Sequence, residues 1–539
     1  MTAVVEQAAP LSDQDRVADA GIDSHASAAP QGDSFVSGVA LLLSLSLAQR
    51  FIGFVRNVLI CRYLDPGELG RWNLAFNAIE IISPLVVLGL PGTMGRYFES
   101  FRQQGRPRWF VRQLALATGT LTAVGLLLLT AFRPTVAWML FSDPRQTGLL
   151  SWVLAALAIV ITYNFLVQLT TALRRPRVLS ILHFVNSAMF AVLAILFLKT
   201  TALGAAGLVA AYAGACMAGI VVAVVALRGL FGELRDQPAE VSGAIAPLWR
   251  RLLPLAGALW LNDSLCNAFY TADRVMLVHF ADTSVGNPIA IVGQYHSSRV
   301  LGVLIAALGG MLAQVFLPYL SHDWEENRKL AVSQQINFAL KIVSVVLTTV
   351  SSGILLVAPV LFGQVMQGKY LEGFQVLPPT LTYCIWFGLL LVVQNYLWLA
   401  EQAKWANAGV AVALLLNVGL NFILVPTWGL AGAVTATTIA NLVLLVVALC
   451  FSNRFGLQLH RGVTVAVLLP VALIGGPLAG FAGVLLAVGA ALGSESILST
   501  WERAQLRHRW ERFFHGPGSD ASFGHKPDDP AQTTSEKWV

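Results

Sequence analysis

Charge is scarce in this sequence. Asp, Glu, Lys and Arg supply 12% of its 539 residues, about half the share found in an ordinary soluble domain. With 56% of residues hydrophobic and a mean hydropathy of +0.68, a water-facing shell around one core is excluded. The composition indicates an all-α polytopic membrane protein. Cysteine is scarce too. Cys61, Cys216, Cys266, Cys384 and Cys450 lie far apart, mostly in apolar runs, with no CxxC or Cys/His spacing, so neither a disulfide framework nor a zinc site is expected. No Gly-rich phosphate loop for ATP and no nucleophile elbow occurs, and no acid/base pair clusters in an outer loop. Neither a cofactor nor a metal is expected, and the chain does not read as an enzyme. The formal charge of +6 is spread over loops between apolar segments, which does not make a nucleic-acid patch.

What is present is a succession of apolar spans. Residues 1–33, rich in Ala, Asp, Ser and Gln with the single arginine Arg16, read as a disordered tail. They lack the basic start and short apolar core of a signal peptide. Stretches of about 20 residues or more follow near 35–62, 70–95, 109–131, 149–172, 178–199, 203–227, 249–280, 291–319, 333–358, 375–400, 405–425 and 429–451. Residues 462–499 read as two short helices, 13 and 14, broken at Gly475-Gly476-Pro477, which makes about fourteen transmembrane helices. Loops after even-numbered spans gather basic residues, Arg102, Arg106, Arg108, Arg112, Arg174, Arg175 and Arg177 among them. Loops after odd-numbered spans carry Arg62, Arg71, Arg133, Arg145, Lys199 and Lys369. The positive-inside rule then places both termini in the cytoplasm of a cell that holds this chain in its cytoplasmic membrane. The tail 500–539 is cytoplasmic and basic, and its segment 501–515 is either an aromatic helix on the inner surface or a plain solvated helix.

The chain also resembles itself. Arg62 to Trp72 has a counterpart in Val278 to Tyr295, and Leu203-Gly204-Ala205-Ala206-Gly207 has one in Trp428-Gly429-Leu430-Ala431-Gly432. Two pseudo-symmetric six-helix lobes, 35–227 and 249–451, follow, joined by a cytoplasmic linker 228–248, with the C-terminal helix pair appended. Six is even, so the halves run in parallel, and transporters of that plan hold cargo between their halves.

The most informative span is the first. On a helix turning about 100° per residue, Ser46, Gln49, Arg50, Gly53, Arg56 and Asn57 share a sector about 120° wide, with Leu47, Phe51, Phe54, Val55 and Val58 opposite. A central arginine costs about 2.5–3.5 kcal/mol on insertion scales, whereas a large aliphatic residue returns about 0.3–0.6. The stripe must therefore face a bundle interior or a watery cavity. It reads as a cationic wall for an anionic cargo; pairing with acids on neighbouring helices is the alternative. Guanidinium forks suit a diphosphate, with charge-assisted and bidentate bonds.

Further polar stripes face inward. The second span carries Asn73, Asn77, Glu80 and Pro84, the fourth Asn164, Gln168 and Thr171. The seventh carries Asp263, Asn267, Tyr270 and Arg274 beside Asp273, and the eighth His296 and Arg299. The candidate substrate contacts are thus Arg50, Arg56, Gln49, Asn57, Asn77, Asn267 and Arg299. Glu80, Asp263 and Asp273 are candidates for binding a coupling ion or for neutralising arginines. Amides also serve as helix glue, a role that suits Asn417 and Asn421, and Arg274 reads as structural, paired with Asp273.

The runs RFIGFVRNVLICRYLDPGELG, Gly89-Leu90-Pro91-Gly92, GQYHSSR and PTWGLAGAVTATTIAN, in that order, resemble the oligosaccharide-lipid flippases of the multidrug/oligosaccharidyl-lipid/polysaccharide exporter superfamily. The likeness spans nearly all of 35–500. The Arg50-to-Arg56 core also resembles the lipid II flippases, where an acid commonly follows the second arginine; here Asn57 does. The resemblance implies movement of a polyprenyl-diphosphate-linked saccharide between leaflets, with Arg50 and Arg56 at cationic-cavity positions. The partners it implies are that lipid-linked saccharide, membrane lipids, and polysaccharide polymerase and export machinery. Two rivals stand beside it. A multidrug cation exporter on the same scaffold would want an acidic cavity, and a membrane-embedded polymerase or ligase would want a large outer loop.

Overall fold

The computed structural model describes residues 32–233, 245–282 and 287–493, with 498, 502 and 503. Nearly all of the expected N-terminal tail, the middle of the linker 228–248 and most of the tail 500–539 lie outside these residues, and so does the side chain of Ser46. All regular elements among the described residues are helical.

Local sequence sets the helix starts. α1 (Gly32–Tyr63) passes through Asp65 into α2 (Pro66–Val87). The Asp65 carboxylate accepts from the Glu68 amide at 2.7 Å, and Pro66 fills the first helical position, where a missing N–H costs nothing. α2 ends as Leu88 and Gly89 turn left-handed. A 3₁₀ turn (Leu90–Thr93) then leads into α3 (Met94–Gln103), bent 64° from α2. α4 (Pro107–Ala131), α5 (Arg133–Phe141), α6 (Thr147–Ala172), α7 (Pro176–Thr200) and α8 (Gly204–Glu233) follow. The second half comprises α9 (Ile245–Phe280), α10 (Pro288–Glu325), α11 (Lys329–Val360), α12 (Leu371–Gln375), α13 (Leu377–Leu399) and α14 (Ala403–Arg454). α15 (Gly462–Leu468) runs through a 3₁₀ segment to Gly475, and α16 (Pro477–Gly493) begins after the expected Gly-Gly-Pro break.

Among the described residues eight helices are long and apolar enough to cross a membrane, or nine if the bent pair Pro66–Val87 and Leu90–Gln103 is one span. Neither α1, with Arg50 and Arg56, nor α9, with Asp263, Asp273 and Arg274, is among the eight. α14 has 52 residues, about 78 Å if straight and more than twice a hydrocarbon core. It breaks at Gly429, where φ is 53°. Gly204, its counterpart in the sequence repeat, has φ of 51°. The short α3 and α5 have no counterpart among the expected spans. α3 buries Met94, Phe98 and Phe101 against Phe110, Val111 and Leu114 of α4.

In the first half α7 packs on α1 and α8, and α6 on α8 and α2. In the second, α10 packs on α13 and α11, and α14 on α13 and α9. α2 joins the halves through α10 and α9, and α16 lies on α11. At the Pro66 end Lys369 Nζ donates to the Arg62 carbonyl at 2.9 Å and the Tyr370 hydroxyl to the Leu64 carbonyl at 3.0 Å. Asn417 and Asn421 are fully buried: Asn417 Nδ2 donates across the break to Thr437 Oγ1 at 3.2 Å, and Asn421 Nδ2 donates to Asn417 Oδ1 at 3.0 Å.

Candidate functional site

The polar stripe of α1 faces a cavity of about 370 Å³. Gln49, Arg50, Gly53, Arg56 and Asn57 line it, while Leu47, Phe51 and Val55 are exposed on the other side. Phe54 departs from the expected pattern by lining the cavity; it follows Arg50 by one turn and sits at the stripe's edge. Val58 is buried. The remaining wall comes from Trp72 and Phe76 of α2, Asn186, Ser187 and Phe190 of α7, Tyr212 of α8, and His296 with the apolar stretch Val300 to Ala307 of α10.

Aromatic rings hold this wall stiff. Phe76 and Phe190 each lie 5.3 Å from Tyr212, centroid to centroid, and Trp72 lies 5.7 Å from Phe190. The Arg56 guanidinium sits 4.2 Å from the Phe190 ring centroid, and its Nε and Nη2 lie 3.4 and 3.3 Å from Asn57 Oδ1. Asn57, in the place of the acid, is therefore an uncharged acceptor that aims Arg56 without neutralising it. Among the described residues neither Arg50 nor Arg56 forms an ion pair. Two cations facing one cavity with aromatic walls will draw an anion. Asn77 is not among the residues lining this cavity. It donates to Asn73 Oδ1 at 3.0 Å, and Asn73 Nδ2 lies 2.6 Å from His296 Nδ1, so the chain braces α2 against α10 behind the wall.

α10 divides this cavity from a second of about 400 Å³. Arg50, Val303 and Ala307 line both. Arg299, Asp273, Tyr270, Tyr383 and Thr437 face the second. Asp273 is buried and well satisfied: it accepts from the Tyr295 hydroxyl at 2.6 Å, the Thr437 hydroxyl at 3.3 Å and the Arg274 amide at 2.9 Å. Arg274, also buried, donates to the Tyr270 carbonyl and lies 4.0 Å from Asp273, the structural pair its sequence position suggests. Arg299 Nη1 lies 3.5 Å from the Tyr270 carbonyl.

Glu80, Asp263 and Asn267 come together elsewhere. With Ser83, Asn164 and Gln168 they line a third cavity, of about 430 Å³. The structure thus separates Glu80 and Asp263 from Asp273, and Asn267 from the two arginines. Sequence reasoning missed Phe190, Tyr212 and Asn186. Asn186, an amide inside an otherwise apolar span, carried a signal; an aromatic in such a span looks the same whether it packs or lines a cavity.

The family model for polysaccharide biosynthesis proteins matches residues 35–324, more than half of the chain. The chain belongs to that family. Solved structures give the fold of this family member. Lipid II flippase MurJ in an inward closed conformation is similar with a TM-score of 0.64, at 13% identity over 87% of this chain and 100% of its own. An inward-facing multidrug resistance MATE family transporter of the MOP superfamily has a TM-score of 0.54, at 15% identity over 76% of this chain and 94% of its own. A MOP superfamily transporter from Pyrococcus furiosus, described as having a binding pocket of reverse polarity, has a TM-score of 0.52, at 15% identity over 77% of this chain and 93% of its own. No curated protein matches the chain in sequence. The chain is thus a multi-pass membrane protein of the polysaccharide biosynthesis family, and its fold is the one seen in these solved transporters.

Proposed function

We propose that the protein is a flippase that carries a polyprenyl-diphosphate-linked oligosaccharide from the inner to the outer leaflet of the cytoplasmic membrane. The lobes 35–227 and 249–451 alternate access around the cargo, with both termini in the cytoplasm. The observation that supports this reading most is the pair Arg50 and Arg56, which share one cavity and form no ion pair among the described residues. A diphosphate would take the guanidinium forks, and Gln49, Asn57, Asn186 and Ser187 offer neutral hydrogen bonds around it. Polysaccharide polymerase and export machinery would receive the delivered lipid.

Electrical potential is a sufficient drive. Moving two negative charges out of an inside-negative cell gains about 2.3 kcal/mol per charge per 100 mV, so exchange against an ion through Glu80, Asp263 or Asp273 is not required.

A multidrug cation exporter shares the fold, but two uncompensated arginines would repel its cargo. The two readings part in cells that make the glycan: Arg50→Ala and Arg56→Ala should abolish its export and leave resistance to cationic drugs unchanged. Lost drug resistance with intact glycan export would reverse the assignment.

A further inference from the structure

The third cavity has the opposite polarity to the first. Glu80 and Asp263 face it with the amides of Asn164, Gln168 and Asn267 and the hydroxyl of Ser83, and no Lys, Arg or His lines it. Among the described residues neither carboxylate forms an ion pair; Asp263 Oδ1 accepts from Asn262 Nδ2 at 3.2 Å, and Glu80 accepts from the hydroxyl of Tyr212, whose ring lines the cationic cavity. The volume of about 430 Å³ lies within the range that holds a small organic ligand.

One face of α2 runs past both this cavity and the cationic one. Trp72 and Phe76 line the first, and Glu80, Ser83 and Val87 the third. Steps of four, four, three and four residues keep these side chains on one side of the helix. Phe76 and Glu80 are about 6 Å apart along its axis. A single elongated ligand laid along α2 would therefore meet cations at one end and carboxylates at the other.

The lining chemistry restricts what the far end accepts. Carboxylates only accept hydrogen bonds, while amides and a hydroxyl both donate and accept. Such a set suits the vicinal hydroxyls of a sugar, and suits an ammonium better still. A carboxylate-bearing sugar would meet like charges in a confined space.

We infer that the Glu80–Asp263 cavity holds the saccharide part of the cargo, and that its two carboxylates select a neutral or amino-bearing sugar over a uronic acid. This rests on the proposed function, because it takes the first cavity as the diphosphate seat. The carboxylates then act as a charge filter on the sugar, and a coupling ion is not needed to explain them.

The test uses the full chain in vesicles and four ligands: polyprenyl diphosphate alone, and the same lipid carrying glucosamine, N-acetylglucosamine or glucuronic acid. The glucosamine lipid should bind at least about tenfold more tightly than the glucuronic acid lipid, with the N-acetylglucosamine lipid between them. In Glu80→Gln/Asp263→Asn that ratio should shrink to about threefold or less. Reading the ratio within each variant cancels any general weakening. Asn164→Asp, which adds a charge to the same wall, should widen the ratio, and it keeps the test decisive if the double variant does not fold. Equal binding of the amino and uronic lipids by the wild type overturns the inference while the diphosphate seat stands. The inference is overturned equally if the double variant keeps the wild-type ratio and loses only its response to a sodium or proton gradient. If the bare diphosphate lipid does not bind, or binds as well to Arg50→Ala, the diphosphate reading itself fails.

Discussion

Gly70 and Gly293 hold α2 and α10 in backbone contact: a Cβ on Gly70 would lie 1.8 Å from the Ile289 carbonyl oxygen, and a Cβ on Gly293 1.9 Å from that of Pro66. The contact is reciprocal, and each helix opens beside it with a proline, Pro66 or Pro288. Backbone cannot yield as a flexible side chain can, so a methyl group on either glycine must separate the helices. Gly70→Ala and Gly293→Ala should each lower stability by about 1–3 kcal/mol. The native Cys61, fully buried in α1 near this end, should react faster with a water-borne thiol reagent. Unchanged melting and labelling would show that the helices do not separate.

Arg56 should not tolerate lysine. Lysine keeps the charge but loses the planar fork and much of the ring contact with Phe190. Arg56→Lys should weaken binding of a polyprenyl diphosphate by about tenfold, and Phe190→Leu should cost about 0.5–2 kcal/mol of the same binding. Titration of the purified protein with that lipid measures both. Wild-type affinity in Arg56→Lys would mean that the cavity reads charge alone.

Much of this site is legible in the sequence, and the reason is energetic. Two arginines in an apolar span leave few arrangements, so the helical period alone places Gln49, Arg50, Arg56 and Asn57 on the cavity side. The Asp273–Arg274 pairing follows from adjacency. Which cavity Glu80, Asp263 and Asn267 join is not legible, because that depends on how α2, α6 and α9 pack. Phe190 and Tyr212 are hidden for a different reason: an aromatic facing a cavity and one packed between helices read alike in an apolar span. α3 is hidden because its polar face makes Met94–Gln103 look like a loop.

Tyr295 should matter to stability more than its place behind the second cavity suggests. Its hydroxyl donates to the buried Asp273 carboxylate at 2.6 Å. Tyr295→Phe removes a charge-assisted bond in a low-dielectric setting and should destabilise the protein by about 1.5–3 kcal/mol. A melting temperature equal to wild type would show that Thr437 and the Arg274 amide suffice.

Lys341 of α11 pairs with Glu502. Its Nζ lies 2.8 and 2.7 Å from the two Glu502 carboxylate oxygens, and the residues are 6% and 1% exposed. Breaking so buried a pair is costly, so Lys341→Ala should destabilise the protein by about 3–5 kcal/mol, while Lys341→Met with Glu502→Leu should restore most of it.

His460, 3.2 Å from Lys341 in the loop before α15, has its pKa pushed down from 6.5 by burial and then by the Lys341 ammonium. The folded state favours the neutral ring. That contribution is fully present above the ordinary value and is lost as pH falls from there through the lowered one. Stability of the wild type should therefore drop more steeply in acid than that of His460→Gln, as melting curves across that range would show; parallel curves would contradict this.

In the proposed function Arg50 and Arg56 receive a phosphorylated lipid head. Leaflet translocation of a labelled polyprenyl-diphosphate saccharide in sealed vesicles tests it most directly. The wild type should move the lipid faster when the acceptor side is made positive, and Arg50→Gln/Arg56→Gln should move it no faster than protein-free vesicles. Translocation at the wild-type rate by the double variant would contradict that role.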